Sequence, residues 1–346
     1  MLLVIFGAGA SYDSAPSIPI RKRPSNLYRL PLTDELFADR PHFKMAIQRF
    51  HRCQPVIPRL RHLSSGSSVE RVLEELRSEG SQDHERHTQL AAIRYYLRDI
   101  LWECQINWNS EAGGITNYKS LVDDLELWRK PRQERVCLVT FNYDTMLEEA
   151  LIERAKFEIR NFHDYIAHAS YKLIKLHGSL AWGHAFEKPI EHDADNPLGE
   201  ERQVIDTILG IGINQQYHLV DQKGFIVRSS TETPKFLAFP ALAIPVETKS
   251  EFECPSDHVD ALRECIPEIT KMLIIGWRAG EANFIQLLSQ NLRLSVRVML
   301  VSGSADAAKE PIRRLQQSGI NGQFAHSQGG FTEFIRMREC VSFLNS

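Results

Sequence analysis

The chain has 346 residues, of which 43% are hydrophobic and 25% charged, the profile of a globular protein with a substantial core. Its formal net charge of −3 supplies no global basic field, so direct nucleic-acid binding is not expected, and Arg21-Lys22-Arg23 reads as a solvated face. No apolar run approaches the roughly 20 residues needed to cross a bilayer, so no membrane span is expected.

Met1–Phe6 is apolar but short, lacks preceding basic residues and runs into glycines. It reads as a strand and not a signal peptide, which makes the cytoplasm the expected location. The six cysteines, Cys53, Cys104, Cys137, Cys254, Cys265 and Cys340, show neither zinc-knuckle spacing nor a disulfide framework, and no metal is expected.

In chain order, Leu2–Phe6 is predicted to be a strand buried on both faces, ending in Gly7-Ala8-Gly9-Ala10-Ser11. Residues 12–33, rich in proline, form a long loop. From Thr33, read as a helix cap, to about Arg129 the spacing is helical, with helices expected over Val69–Leu76, Gln89–Trp102 and Tyr118–Trp128. Strands are predicted at Arg135–Thr140 and Tyr171–Leu176. A polar, irregular stretch follows at 183–235, with a hairpin around Gly224–Arg228. Phe236–Pro245 is broken twice by proline, which suits an edge strand or pocket wall. A helix over Ser256–Ile266, a strand over Lys271–Ile275, a helix over Ala282–Ser289 and a last strong strand over Val296–Val301 complete the pattern. The fold class is therefore α/β: a Rossmann-like parallel sheet with helices on both faces, a helical insertion and a small irregular module. Residues 1–346 are expected to form a single domain, with core 1–33, 131–182 and 236–346, helical insertion 34–130 and irregular insert 183–235.

Four strands end in polar or glycine signatures, and in open α/β sheets ligands sit beyond those ends. The glycines of Gly7–Ser11 let a backbone approach a pyrophosphate or make a tight turn; Tyr12 stands where the dehydrogenase pattern has its third glycine. Thr140-Phe141-Asn142-Tyr143-Asp144 offers a carboxamide for a ribose hydroxyl or water, or else a turn and a helix cap. His177 is either structural or a general base. Gly276 permits close approach to a ligand, and Arg278 contacts a phosphate or pairs with Glu281.

Together Gly7–Ser11, Thr140–Asp144, Lys175-Leu176-His177-Gly178-Ser179 and Ile274-Ile275-Gly276-Trp277 resemble the sirtuin-like family of silent-information-regulator domains, from Met1 to about Val301. The resemblance implies a Rossmann-like domain and a smaller module holding NAD between them. Gly7, Ala8, Gly9 and Ser11 would surround the pyrophosphate, with Ala10, Thr140, Phe141, Gly276 and Trp277 completing the NAD-binding set. Asn142 and Asp144 would match the family's Asn-x-Asp pair beside the nicotinamide ribose, His177 its catalytic histidine, and Ser302 with Gly303 would lie by the adenosine ribose.

The departures narrow this resemblance. No cysteines between His177 and Lys249 supply the deacylases' zinc module, Phe141 replaces their glutamine, and Trp277-Arg278 replaces their Thr-Ser. The chain is more similar to the bacterial anti-phage NADase branch. That resemblance implies an NAD+ hydrolase, NAD being substrate, that gives nicotinamide and ADP-ribose and depletes NAD during defence. Asn142 would position the water, His177 would take the proton, and Asp144 would support Asn142 or the ribose. The alternatives are a zinc-free NAD-dependent protein deacylase and a non-catalytic NAD or ADP-ribose-sensing assembly module. Control is expected from homo-oligomerisation or a separately encoded regulator, such as a HerA-like ATPase or an Argonaute-type protein, through the block 34–130.

Overall fold

The computed structural model describes residues 1–15, 26–63, 67–80, 83–191, 204–206, 210–221, 226–228, 236–246 and 252–346. Arg21-Lys22-Arg23 and much of the loop 12–33 lie outside them. The strands are β1 Leu2–Phe6, β2 Val136–Thr140, β3 Tyr171–Lys175, β4 Gly178–Phe186, β5 Ile213–Leu219, β6 Ala238–Leu242, β7 Lys271–Ile275, β8 Val296–Ser302 and β9 Gly322–Gln328. The chain divides into two compact units. One comprises Met1–Leu30, Gln105–His177 and Lys249–Ser346, and the other Pro31–Cys104 and Gly178–Thr248.

The first unit is built on a six-stranded sheet in the order β3-β2-β1-β7-β8-β9, parallel throughout. Every residue of β1 and β2 is buried, as expected of parallel strands covered on both faces. Each fully buried Leu, Val or Ile contributes roughly 1.5–3 kcal/mol. Phe6 pairs with Thr140 and Ile275, Thr140 with Lys175, and Ile275 with Val301, so five strands end in one row. The chain lays strands outward from β1 to β3 on one side and then from β7 to β9 on the other. The strand order therefore reverses between β1 and β7, the usual place for a ligand crevice.

Helices of this unit span Asn117–Arg129, Met146–Ala155, Ser256–Cys265, Ala282–Asn291, Ala305–Gln317, Gly330–Arg336 and Glu339–Asn345. Thr116 caps the first of them by accepting from the Lys119 amide. The Asp13 carboxylate accepts from the amide (2.9 Å) and hydroxyl (2.7 Å) of Thr332, while Asn117 Nδ2 donates to the Asp13 carbonyl (2.7 Å) and to Thr332 Oγ1 (2.8 Å). Gly330, at φ +83°, brings this contact close, because a Cβ there would lie 2.5 Å from Asp13 Oδ2.

The second unit carries a three-stranded antiparallel sheet, β5-β4-β6, with the helices Pro41–Arg49, Ile57–Arg61 and Val69–Gly80 and the first part of His84–Glu111. Tyr95 donates to the Ala238 carbonyl (3.2 Å) and buried Arg98 to the Trp182 carbonyl (3.2 Å), which ties helix to sheet. Pro240 sits on β6, an edge strand, as the proline breaks indicate.

Several expectations need correction. Thr33 does not cap a helix: Leu32 is the cap of a single 3-10 turn, Thr33–Glu35, and Glu35 Oε2 accepts from the Leu32 amide. The insert predicted as irregular, 183–235, takes in the end of β4 and all of β5, and β4 is the central strand of its sheet. Glycines and polar residues interrupt the apolar alternation of β4, while β5 is largely exposed and polar. The strand β9 follows the one read as last; only its Ser327 is buried, so hydrophobicity does not mark it. The stretch 34–130 falls in both units, the division lying inside the helix His84–Glu111. Of the hairpin around Gly224–Arg228, residues 222–225 lie outside the described residues, and Val220 bridges Val227 in antiparallel fashion.

Candidate functional site

Because β1, β2, β3 and β7 end in one row, their following residues are brought together. Gly7 caps the five-residue helix Ala8–Tyr12 after β1, and Gly276 follows β7 at φ +62°. These two turns interlock backbone to backbone. The Gly7 amide donates to the Ile275 carbonyl (3.0 Å) and the Gly9 amide to the Gly276 carbonyl (3.1 Å). A Cβ on Gly7 would meet Gly276 O at 2.6 Å, one on Gly9 would meet Gly276 Cα at 2.8 Å, and one on Gly276 would meet the Ala10 amide at 2.4 Å. Glycine is thus demanded at all three positions by close approach of protein to protein. The amides of Gly7 and Gly9, in the turn expected to surround a pyrophosphate, are engaged within the fold.

Asn142, just beyond β2, is buried and points its carboxamide nitrogen inward. Its Nδ2 donates to the Gly7 carbonyl (2.9 Å) and Ser11 Oγ (2.8 Å) and approaches the Tyr118 hydroxyl (3.2 Å). Its Oδ1 receives no hydrogen bond among the described residues. The Asn142 amide donates to Thr140 Oγ1 at 3.0 Å, which fixes the turn. Asp144 is bonded on both carboxylate oxygens. Its Oδ1 accepts from the Met146 amide at the start of a helix (3.2 Å), and its Oδ2 accepts from Ser11 Oγ (2.6 Å). With its single proton on Asp144, Ser11 must accept from Tyr118, whose hydroxyl lies 2.9 Å away. Burial, and secondarily the Asp144 charge, push the Tyr118 phenol far above its ordinary pKa, so it remains a neutral donor.

Below this network lies a buried ion pair. Lys175 Nζ is 2.9 Å from Glu148 Oε1 and donates to the Asp144 carbonyl at 2.5 Å. Burial raises the Glu148 pKa, and the Lys175 charge opposes that rise.

His177, following β3, is buried at 4% exposure. Its ring centroid is 4.9 Å from that of Phe141, and Phe141 stacks on Trp277 at 5.3 Å with 9° between planes. Phe284 meets both edge-on, at 5.3 Å from Phe141 and 5.5 Å from Trp277. Glu281 joins this aromatic cluster to the histidine: Trp277 Nε1 donates to its Oε2 at 2.5 Å, and its Oε1 lies 3.8 Å from His177 Nε2. From the sequence, Glu281 is expected only as a partner for Arg278. Ser302 lies at the end of β8, partly exposed, donating to the Ser304 carbonyl at 2.7 Å, and Gly303 has open space around its Cα.

Tyr118, Glu281, Glu148 and Phe284 are the residues sequence reasoning did not assign to the site. All six cysteines are free and buried, and no group of His, Cys, Asp and Glu that could hold a metal occurs among the described residues. No helix among the described residues is long and apolar enough to cross a membrane.

No model of a known protein family matches the sequence, and no curated protein matches it. Among solved structures, a Sir2 homologue in complex with NAD aligns with 99% of this chain and 89% of its own, at 13% identity and a TM-score of 0.39. A structure described as the basis for the mechanism and regulation of Sir2 enzymes aligns with 99% of this chain and 92% of its own, at 12% identity and a TM-score of 0.40. A Sir2 bound to 2′-O-acetyl-ADP-ribose and a deacetylated peptide aligns over 98% and 93%, at 13% identity and a TM-score of 0.38. The chain is distantly similar to these proteins.

Proposed function

We propose that the chain is an NAD+ glycohydrolase, cleaving the nicotinamide–ribose bond to release nicotinamide and ADP-ribose. The observation that carries this reading is the constellation at the strand ends. Asn142 is held by its nitrogen while its Oδ1 receives no hydrogen bond among the described residues, and His177, with Glu281 beside it, stands two strands over from the Gly7 turn. Oδ1 then orients an attacking water or a ribose hydroxyl, and the imidazole removes its proton. Fixed dipoles around the developing charge need no reorganisation when the bond breaks. A flat nicotinamide ring suits an aromatic surface, and of this cluster Phe141 and Trp277 keep some exposure while Phe284 is fully buried against them. The engaged amides of Gly7 and Gly9 shift the expected pyrophosphate contacts toward other groups of the Gly7–Ser11 turn. A role in anti-phage defence through NAD depletion, with homo-oligomerisation or a HerA-like or Argonaute-type regulator setting the activity, extends the same proposal.

The test measures nicotinamide release from NAD by the purified chain, with and without an acyl peptide. Release without peptide supports a hydrolase, release that requires peptide supports a deacylase, and binding without release supports a sensing module. Asn142→Ala and His177→Ala should each lower release by roughly 100-fold or more while leaving the melting temperature near that of the parent. Full activity in both variants would remove these residues from the mechanism.

A further inference from the structure

We propose that Tyr118 is a positioning residue for Asn142. Its hydroxyl, donating to Ser11 and accepting from Asn142, locks the carboxamide with its nitrogen inward and Oδ1 toward the reacting ribose or water. The inference rests on the assignment of Asn142 to NAD cleavage.

The argument is one of donor counting. Asn142 Nδ2 has two protons; the Gly7 carbonyl takes one, and Ser11 Oγ and the Tyr118 hydroxyl share the other. Ser11 has one proton, given to Asp144, and two lone pairs, filled by Asn142 and Tyr118. Every polar atom in the ring thus has its direction set, and the order runs from Tyr118 and Asn142 through Ser11 to the Asp144 carboxylate. A half-turn of the carboxamide would set Oδ1 against the Gly7 carbonyl, acceptor against acceptor.

Tyr118 suits the task because it cannot move. It is 1% exposed, its ring is 5.4 Å from Phe6, and Phe331 packs edge-on at 5.6 Å. Without the hydroxyl, Ser11 loses a donor and Asn142 Nδ2 one of its three acceptors, so the carboxamide is held less firmly by the Gly7 carbonyl and Ser11 alone. A residue that acts by fixing another should change turnover more than substrate binding.

Tyr118→Phe in the full chain keeps the ring and removes only the oxygen. The expected result is a fall in kcat for nicotinamide release of roughly tenfold, with KM for NAD within about twofold and the melting temperature little changed. In nitrogen-labelled protein the Asn142 side-chain amide signals, identified by their loss in Asn142→Ala, should exchange with solvent at least about tenfold faster in Tyr118→Phe. Unchanged kcat together with unchanged exchange overturns the proposal. So does a loss confined to KM and melting temperature, which marks a merely structural tyrosine. If the parent chain releases no nicotinamide, the NAD assignment fails, and the exchange measurement still decides the positioning role. Faster exchange upholds that role and unchanged exchange refutes it.

Discussion

Gly276→Ala is the most incisive single perturbation of the strand-end site. Gly276 adopts φ +62°, where an L side chain costs about 1–2 kcal/mol. Its Cβ would also lie 2.4 Å from the Ala10 amide nitrogen, 2.5 Å from Gly9 C and 2.6 Å from Gly9 Cα. All three atoms are backbone, so relief requires the two turns to separate, at a further cost of about 1–3 kcal/mol. Together the loss is about 2–5 kcal/mol, a large share of the roughly 5–15 kcal/mol typical of a folded domain. Gly280→Ala, four residues on in the same loop, is the control, since its Cβ would meet nothing closer than Arg314 Nη1 at 4.0 Å. Urea unfolding followed by tryptophan fluorescence should show a much lower midpoint for Gly276→Ala, with Gly280→Ala close to the parent. Equal midpoints for the two variants, or a Gly276→Ala loss below about 1 kcal/mol, would refute the interlocked-turn reasoning.

Two further outcomes are expected. Lys175→Met leaves the Glu148 carboxylate buried without its counter-charge and should destabilise the chain by about 3–5 kcal/mol, whereas Lys175→Met with Glu148→Met should recover much of that loss in the same urea assay. Burial, with the nearby Arg40 charge, lowers the His42 pKa to about 4, against 6.5 for a free side chain. The unfolded chain therefore takes up this proton first as the pH falls. The stability involved is present above pH 6.5 and lost as the pH falls from 6.5 to 4, by up to about 3 kcal/mol. His42→Gln should flatten the slope of unfolding free energy in that window, and an unchanged slope would exclude His42 as its source.

The parallel strands were legible where burial on both faces leaves little choice of residue. In β1, β2 and β7 almost every side chain is apolar and hidden. Edge strands carry no such signature: Gln323 and His326 of β9 and Gln215 and Gln216 of β5 face outward and look like loop. Asn142, Asp144 and His177 were readable because polar residues interrupt apolar runs at strand ends. Tyr118 was hidden for the opposite reason, since an aromatic residue at helical spacing reads as core. Its hydroxyl matters only because tertiary packing brings it to Ser11, 107 residues away in sequence. The glycines were noticed for the right property, close approach, but the approaching atoms are those of the opposite turn.

The tie between Asp13 and Thr332 bears on when the site can exist. These residues are 319 apart in sequence, and the strand β1 lies between partners that begin at Val136 and Lys271. A nascent chain that ends before Gly276 has no turn for Gly7 and Gly9 to rest on. One that ends before Phe331 lacks the ring that packs against Tyr118. Folding dominated by such distant pairings is slow, because loop closure precedes its reward. The constellation around Asn142 is accordingly completed only once synthesis has passed Thr332, so the activity proposed for it would be withheld from chains that stop short of that residue.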